Sequence, residues 1–488
     1  GAVPHYYGTT EPSGPTPTPG RSEGKPWLSR WCDAVSTIEF EARMGPAARM
    51  CAPARAPPEP DVRIWREVAS AYYDSLRSTA VRFAAFVAPF LLEATVRFID
   101  NAARLPGVRL ALITSEPAER LPPRLRDSVA AHWRIDDALD PQQIVDAVRG
   151  LSAHAGGKPI ERMIAVLEQL QVPVAEARDF LGIPGMNAAT ATNFRDKHRM
   201  KDVLRAAGVP VARHCLAHSP AEALAFANEV GYPLVAKPPA GAGAVDTFRL
   251  EESGALHRWL GQHIPTSDAP WLLEEFLSGD EFTFDSVMID RRVAWHSIAR
   301  YLPTPLEALR NPWIQWVVLL PRDIAGAAYE PIGRVAPAAL RALGLETGLS
   351  HMEWFRRPDG SVAVSEVGAR PPGAGISSAL GYAHDDDLYA IWPRLMLIDQ
   401  FDPPARRWSV GVAYLRGEGS GKIRALHGVE PLQKELGHLV VEARLPQIGQ
   451  VPSGTYSGDG WVIVRHADTA VVYEAIQQII TRLRVEVG

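Results

Sequence analysis

The sequence predicts an α+β protein of several domains: a parallel α/β unit, a larger α+β middle, and a compact α+β segment that follows it. Three observations carry this. Strand-like and helix-like runs alternate between residues 80 and 116, the pattern of a parallel sheet. Two hairpin patterns follow at 282–302 and 351–370, and they belong to antiparallel pairing. From about residue 405, three strand-like runs and a helix stand together. With 488 residues, 46% of them hydrophobic, the chain can fill a large core.

Composition removes several classes of function. A net charge of -5 lacks the Lys/Arg excess that phosphate backbones require, so no nucleic-acid partner is expected. Cys32, Cys51 and Cys215 lie far apart, which supports neither a disulfide framework nor a zinc cluster. The most apolar stretch, 80–98, carries Arg82, Glu93 and Arg97, so no membrane span is expected. No basic segment leads into an apolar core, so no secretory signal is expected and the cytoplasm is the expected location.

Residues 1–60 are rich in Pro, Gly, Ser and Arg without apolar periodicity, and are expected to be disordered or to form an extension. A helix is expected over 65–76, a strand over 80–89, a helix over 91–105 and a strand over 108–116. Apolar spacing at Met163, Val166, Leu167 and Leu170 predicts a helix over 160–181, and a first domain, 61–185, ends after it. Another helix, 193–207, stops at Gly208 with Pro210 beyond. Ser219-Pro220-Ala221-Glu222 is a capping box that opens a helix closing at Gly231. Strands are expected at 233–238 and 271–277, a hairpin around Asp290-Arg291, a helix over 331–343, and strands near 407–415, 438–446 and 460–466 before a helix from Thr469.

The hairpin at 351–370 is the most informative stretch. Asp359-Gly360 is a favoured two-residue turn, and it sets Glu353 opposite Glu366. Opposed side chains share a face with Cβ atoms roughly 4.5–5.5 Å apart, where two carboxylates repel by about 3–4 kcal/mol. A cation or a shared proton would relieve them. Mg²⁺, which prefers oxygen ligands and is held by carboxylates together with substrate phosphates, is one reading; two solvated glutamates on an exposed hairpin is the other. Phe355, Val362 and Val364, counted on the same face, favour burial. Two-residue steps add Gly368, leaving room for a ligand, and Arg370, a fixed cation.

Lys237 ends an apolar strand before a loop with Gly241 and Gly243, which suits phosphate contact by backbone N–H groups; a surface turn is the alternative. In WLLEEFLSGDEFTF, a strand backbone can read an adenine edge and Glu281 can accept from ribose hydroxyls, or the segment is a plain strand with a solvated acidic end.

In order and spacing, these pieces resemble the ATP-grasp superfamily over roughly residues 80–488. DKHRMKDVLRAAGVPVAR looks like the segment with the first nucleotide lysine, Lys197; YPLVAKPPAGAG looks like the strand with the second, Lys237, and its covering loop. LLEEFLSGDEF looks like the hinge, where Glu274, Glu275 and Leu277 would contact adenine and Glu281 the ribose. HMEWF and SEVGARPPG look like the metal strands, with Glu353 and Glu366 as ligands and Arg370 as the cation of acyl transfer.

The resemblance implies an ATP-grasp fold over 186–404 with a lid at about 198–275, a Rossmann-like pre-ATP-grasp domain before it and a biotin-carboxylase-like cap over 405–488. SEVGARPPG is most similar to the L-amino acid ligase branch, which implies ATP and Mg²⁺ or Mn²⁺ as cofactors and a small-molecule acid and amine as substrates, with a homodimer left open. Gly368 departs from the Asn that many members carry there, and the chain has no Met-Lys-Met biotinylation site. Bicarbonate activation and a nucleotide-binding scaffold without catalysis are the competing expectations. His296 would orient the acid or act as a base, or be a packed structural histidine. Residues 301–316 are expected to line the substrate pocket.

Overall fold

The alternation after residue 80 becomes a four-stranded parallel sheet of order β3-β2-β1-β4, made of β1 (Arg82–Val87), β2 (Val108–Thr114), β3 (Ala131–Arg134) and β4 (Arg162–Ile164). The computed structural model describes residues 81–488 apart from 242, 244 and 312. The expected helix at 65–76 and the expected disorder of 1–60 lie outside the described residues.

The sequence pattern over 160–181 is misleading. Only Gln171–Leu181 is an α-helix; Met163 and Ile164 belong to β4, buried on both faces. A strand covered on both sides reads as an unbroken apolar run, which periodicity cannot distinguish from a helix. Pro173 decides the boundary: its ring excludes a continuous helix through this point but is tolerated in a first turn. The expected helix at 193–207 is also two helices, Ala188–Arg195 and Lys197–Ala206. Asp196 separates them with ψ 108°, and its carboxylate accepts from the backbone N–H groups of His198 and Arg199.

A second sheet, antiparallel and of order β5-β8-β6-β7, comprises β5 (His214–Ala217), β6 (Leu234–Lys237), β7 (Phe248–Leu250) and β8 (Trp271–Glu275). The capping box forms with one shift: Ser219 accepts from the Glu222 N–H, but Glu222 Oε2 accepts from the His218 N–H, one residue before the expected Ser219, and the Pro220–Val230 helix ends at Gly231.

The largest sheet has eight strands, ordered β13-β12-β9-β10-β11-β14-β18-β17. Here β9 (Asp280–Ile289) and β10 (Arg292–Leu302) form the hairpin at Asp290-Arg291, both with positive φ; β11 (Val317–Leu320), β12 (Gly348–Arg356) and β13 (Val362–Gly368) follow. The segment from 405 adds β14 (Ser409–Leu415), and a small sheet forms from β15 (Gly417–Glu418), β16 (Ile423–His427) and β19 (Arg484–Val487), while β17 (Val440–Arg444) and β18 (Gly460–His466) rejoin the large sheet. Val318 pairs with Val412, so these strands extend the central sheet. One apolar cluster runs through Phe98, Trp392, Val318, Val412 and Ile463, joining the parallel sheet's helix to the C-terminal strands. No helix among the described residues is long and apolar enough to cross a membrane.

His384 ends the Ile376–His384 helix inside this core, with Nδ1 donating to the Leu380 carbonyl at 2.8 Å and its ring against Trp295. Burial lowers its pKa from 6.5 to about 4. A histidine kept neutral in the fold contributes stability above the unfolded pKa and loses it as pH falls from 6.5 toward 4. Between pH 7 and pH 5 the wild type is expected to lose about 2 kcal/mol more than His384→Gln, read from urea unfolding at the two pH values.

Candidate active site

Glu353 does face Glu366, by a route the sequence did not show. The hairpin loop holds three residues rather than two: the Arg357 N–H donates to the Ser361 carbonyl at 2.8 Å, and Gly360, with φ 81°, donates to Arg357. That shift alone would set Glu353 opposite Ser365. A bulge between Glu353 and Trp354 leaves Ser365 unpaired on β13 and restores the pairing. The cancellation corrects the face assignment. Val362 and Val364 pack with Trp354 on the opposite side of the sheet, and it is Ala363 that joins Phe355 and Leu277 on the carboxylate side.

Alternation along β9 and β12 brings Glu281 and Phe355, Thr283 and Glu353, and Asp285 and His351 into register on the same face, which forms the wall of a cavity of about 220 Å³. Lys197, in the first turn of its helix, reaches Glu366 Oε1 with Nζ at 2.8 Å and donates to the Gly241 carbonyl at 2.8 Å. Burial would raise the Glu366 carboxyl, but Lys197 and Lys237 outweigh it and hold it at about 2. Burial, and then Glu353, push the Glu281 carboxyl well above the usual range against the pull of Lys237. Negative charge crowds this wall beyond what the lysines neutralise.

Glu274, expected at the adenine, has a buried carboxylate flanked by Lys201 Nζ at 3.3 Å and Lys237 Nζ at 3.1 Å. Lys201, missed in the sequence, is fully buried and also donates to the carbonyl of the bulged Ser365 at 2.7 Å. Its signal was its spacing: four residues after Lys197, it lies on the same helical stripe. Burial lowers the Lys201 pKa against Glu274; for Lys237 the same burial is overcome by Glu274 and Glu366, and its pKa rises.

Arg370 donates from Nε to Glu168 Oε2, a residue of the Glu168–Leu170 turn. Burial disfavours this guanidinium, but Glu168 outweighs it and raises its pKa. Gly368 leaves room for a protein carboxylate: a Cβ there would lie 3.2 Å from Glu168 Oε2. His351, two residues before Glu353, holds Asp285 Oδ1 at 2.7 Å; burial is outweighed by Asp285, so its pKa rises to about 9 and the ring is an imidazolium at neutral pH. Tyr301 donates to Glu353 Oε1 at 3.2 Å.

Gly241, Gly243, Glu275 and Leu277 all line the cavity. The Glu275 carboxylate turns toward Arg213 Nε at 2.9 Å, leaving mainly its backbone to the interior. Of the 301–316 segment, Tyr301, Thr304, Pro305 and Leu306 reach the cavity, while Trp316 is buried against Tyr301 and Tyr456. His296 is not brought to the site: it is exposed and stacks on Phe284 with ring centroids 4.8 Å apart. It lies on the opposite face from Tyr301 because the two are five residues apart on β10.

The L-amino acid ligase from Bacillus licheniformis has a similar structure, with TM-score 0.67 and 19% identity over 83% of this chain and 99% of that one. The L-arginine-specific L-amino acid ligase of Bacillus subtilis is 25% identical over 225 residues. The chain has the ATP-grasp fold. The second match covers 45% of this chain and spans about half, 53%, of that relative's length. A biotin carboxylase domain of the Hydrogenobacter thermophilus 2-oxoglutarate carboxylase, solved with MgADP and bicarbonate, superposes with TM-score 0.56 and 17% identity over 82% of this chain and 90% of that one. No family model matches the sequence. In ATP-grasp terms, the eight-stranded sheet and the β5–β8 sheet face each other across the cavity, with Lys237 and Glu274 on the smaller sheet and Glu281, Glu353 and Glu366 on the larger.

Proposed function

We propose that this ATP-grasp protein is a carboxylate–amine ligase that forms an amide or peptide bond through an acyl phosphate, releasing ADP and phosphate. The observation that carries the reading is Glu353 opposite Glu366, with Glu281 beside them and the tethered Arg370 downstream. Three carboxylates in a buried wall, one with a strongly raised pKa, are a hard-oxygen donor set with excess negative charge, and this fits Mg²⁺ or Mn²⁺. Glu353 and Glu366 would hold the ion, which neutralises phosphate charge when bound.

Lys197 and Lys237 hold the phosphates of ATP, and the loop at Gly241 and Gly243 covers them. Val235, Leu277 and Phe355 offer apolar contact to the adenine. An oxygen of the substrate carboxylate attacks the γ-phosphorus, the bond to the β-phosphate oxygen breaks, and ADP leaves. The amine then adds to the acyl carbon, Arg370 stabilises the tetrahedral oxyanion, and phosphate departs. Glu168 fixes the guanidinium, so it serves as a positioning residue. Tyr301, Leu306, Ile376 and Tyr456 form the apolar end of the cavity, where the substrates would sit.

The test incubates the protein with ATP, Mg²⁺ and a mixed panel of acids and amines, and reads products by mass spectrometry. Acids labelled with ¹⁸O in the carboxylate are expected to transfer one label to the released phosphate. Absence of ADP across the panel overturns the proposal, as does bicarbonate-stimulated ATP hydrolysis without any C–N product.

A further inference from the structure

The Lys197–Ala206 helix carries a second stripe of reactive side chains. Lys197 and Lys201 point toward the cavity carboxylates. His198 and Asp202, also four residues apart, form the neighbouring stripe and meet His214 at the start of β5. His198 Nε2 lies 3.4 Å from Asp202 Oδ2, and His214 Nε2 lies 3.1 Å from Asp202 Oδ1. One nitrogen or oxygen from each of the three lies within 4.8 Å of the others.

The tautomer of His214 makes this cluster unusual. Its Nδ1 sits 3.2 Å from the Ala212 carbonyl, which can only accept, so Nδ1 carries the hydrogen. In the neutral ring, Nε2 then turns a bare lone pair toward a carboxylate oxygen, an arrangement that repels unless a proton or a cation lies between them. His198 Nδ1 is buried with no partner among the described residues, so its ring is held in the cluster only through Nε2.

We propose that His198, Asp202 and His214 bind a divalent ion of the zinc class. Zinc bonds of 2.0–2.2 Å to nitrogen and oxygen place tetrahedral ligand atoms roughly 3.3–3.5 Å apart, close to the 3.4 and 3.1 Å between the two imidazoles and Asp202. Asp202, with 44% of its side chain exposed, leaves the fourth position to water. Arg205 also reaches Asp202 Oδ1, at 2.6 Å, but an exposed pair three residues apart is a weak competitor, and Oδ2 stays available. The position gives the ion a structural consequence. His214 pairs with Glu274 across β5 and β8, so an ion here pins the helix bearing Lys197 and Lys201 to the sheet whose Glu274 Lys201 approaches.

The experiment titrates the full chain with Zn²⁺ in excess Mg²⁺, following thermal unfolding, and repeats it with Co²⁺, following visible absorption. One equivalent is expected to bind and raise the Tm, with a tetrahedral-type Co²⁺ spectrum. His198→Ala is expected to weaken Zn²⁺ binding about tenfold or more and to remove that spectrum, while Glu366→Gln keeps both. Should His214→Ala fail to fold, His198→Ala, at a partly exposed position, still decides. No Zn²⁺ binding by the wild type, equal affinity in His198→Ala, or loss confined to Glu366→Gln would each overturn the site.

Discussion

Glu366→Gln is expected to lower ADP release from ATP and Mg²⁺ by about two to three orders of magnitude. The substitution keeps the shape of the side chain and removes its charge. Glu366 is held ionised, at about 2, because Lys197 lies 2.8 Å away and Lys237 adds to its field. Without that charge, both lysines lose an attraction, and the proposed ion would lose one of its two opposed ligands. Steady-state ADP release provides the measurement, with near-UV circular dichroism as the control for folding. Turnover within twofold of the wild type would remove Glu366 from the proposed chemistry.

The second large effect is on stability. Glu274→Ala is expected to destabilise the fold by about 3–5 kcal/mol in chemical denaturation, because it leaves Lys201 and Lys237 buried side by side without their shared carboxylate. Lys201, fully buried, has no route to water. Lys237 retains the attraction of Glu366. Replacing Lys201 with Met in the Glu274→Ala background should therefore recover at least half of the loss, since the buried charge with the least compensation is then gone. If Glu274→Ala costs under about 1 kcal/mol, the pair is solvated and the cavity is more open than the distances imply.

Much of this architecture was legible residue by residue. The capping box at Ser219, the hairpin at Asp290-Arg291 and the strands β6 and β8 follow from local signals, and local signals survive folding. The helix read over 160–181 did not: β4 is covered on both faces, so its apolar run carries no alternation, and Pro173 was the overlooked mark. Lys197, Lys237, Glu353, Glu366 and Arg370, each read from a segment whose spacing is informative, all line the cavity. His296 was misplaced, since a lone histidine on a strand gives no indication of which sheet face meets the cavity. Lys201, Glu168, Asp285 and His351 went unnoticed, because what makes each matter is a partner far away in sequence.

The sequence by itself determined the α+β class, the order of the lysine, hinge and carboxylate segments, and the facing of Glu353 and Glu366. Even that facing held only because the tertiary structure placed a bulge at Ser365 to offset the three-residue loop, and used the bulge's freed carbonyl to seat Lys201. Local sequence sets turn chemistry and periodicity within a few residues. Which charges end up buried together depends on burial and on contacts between strands and helices remote in the chain, such as Glu168 with Arg370, and these exist only once the sheets have closed on each other.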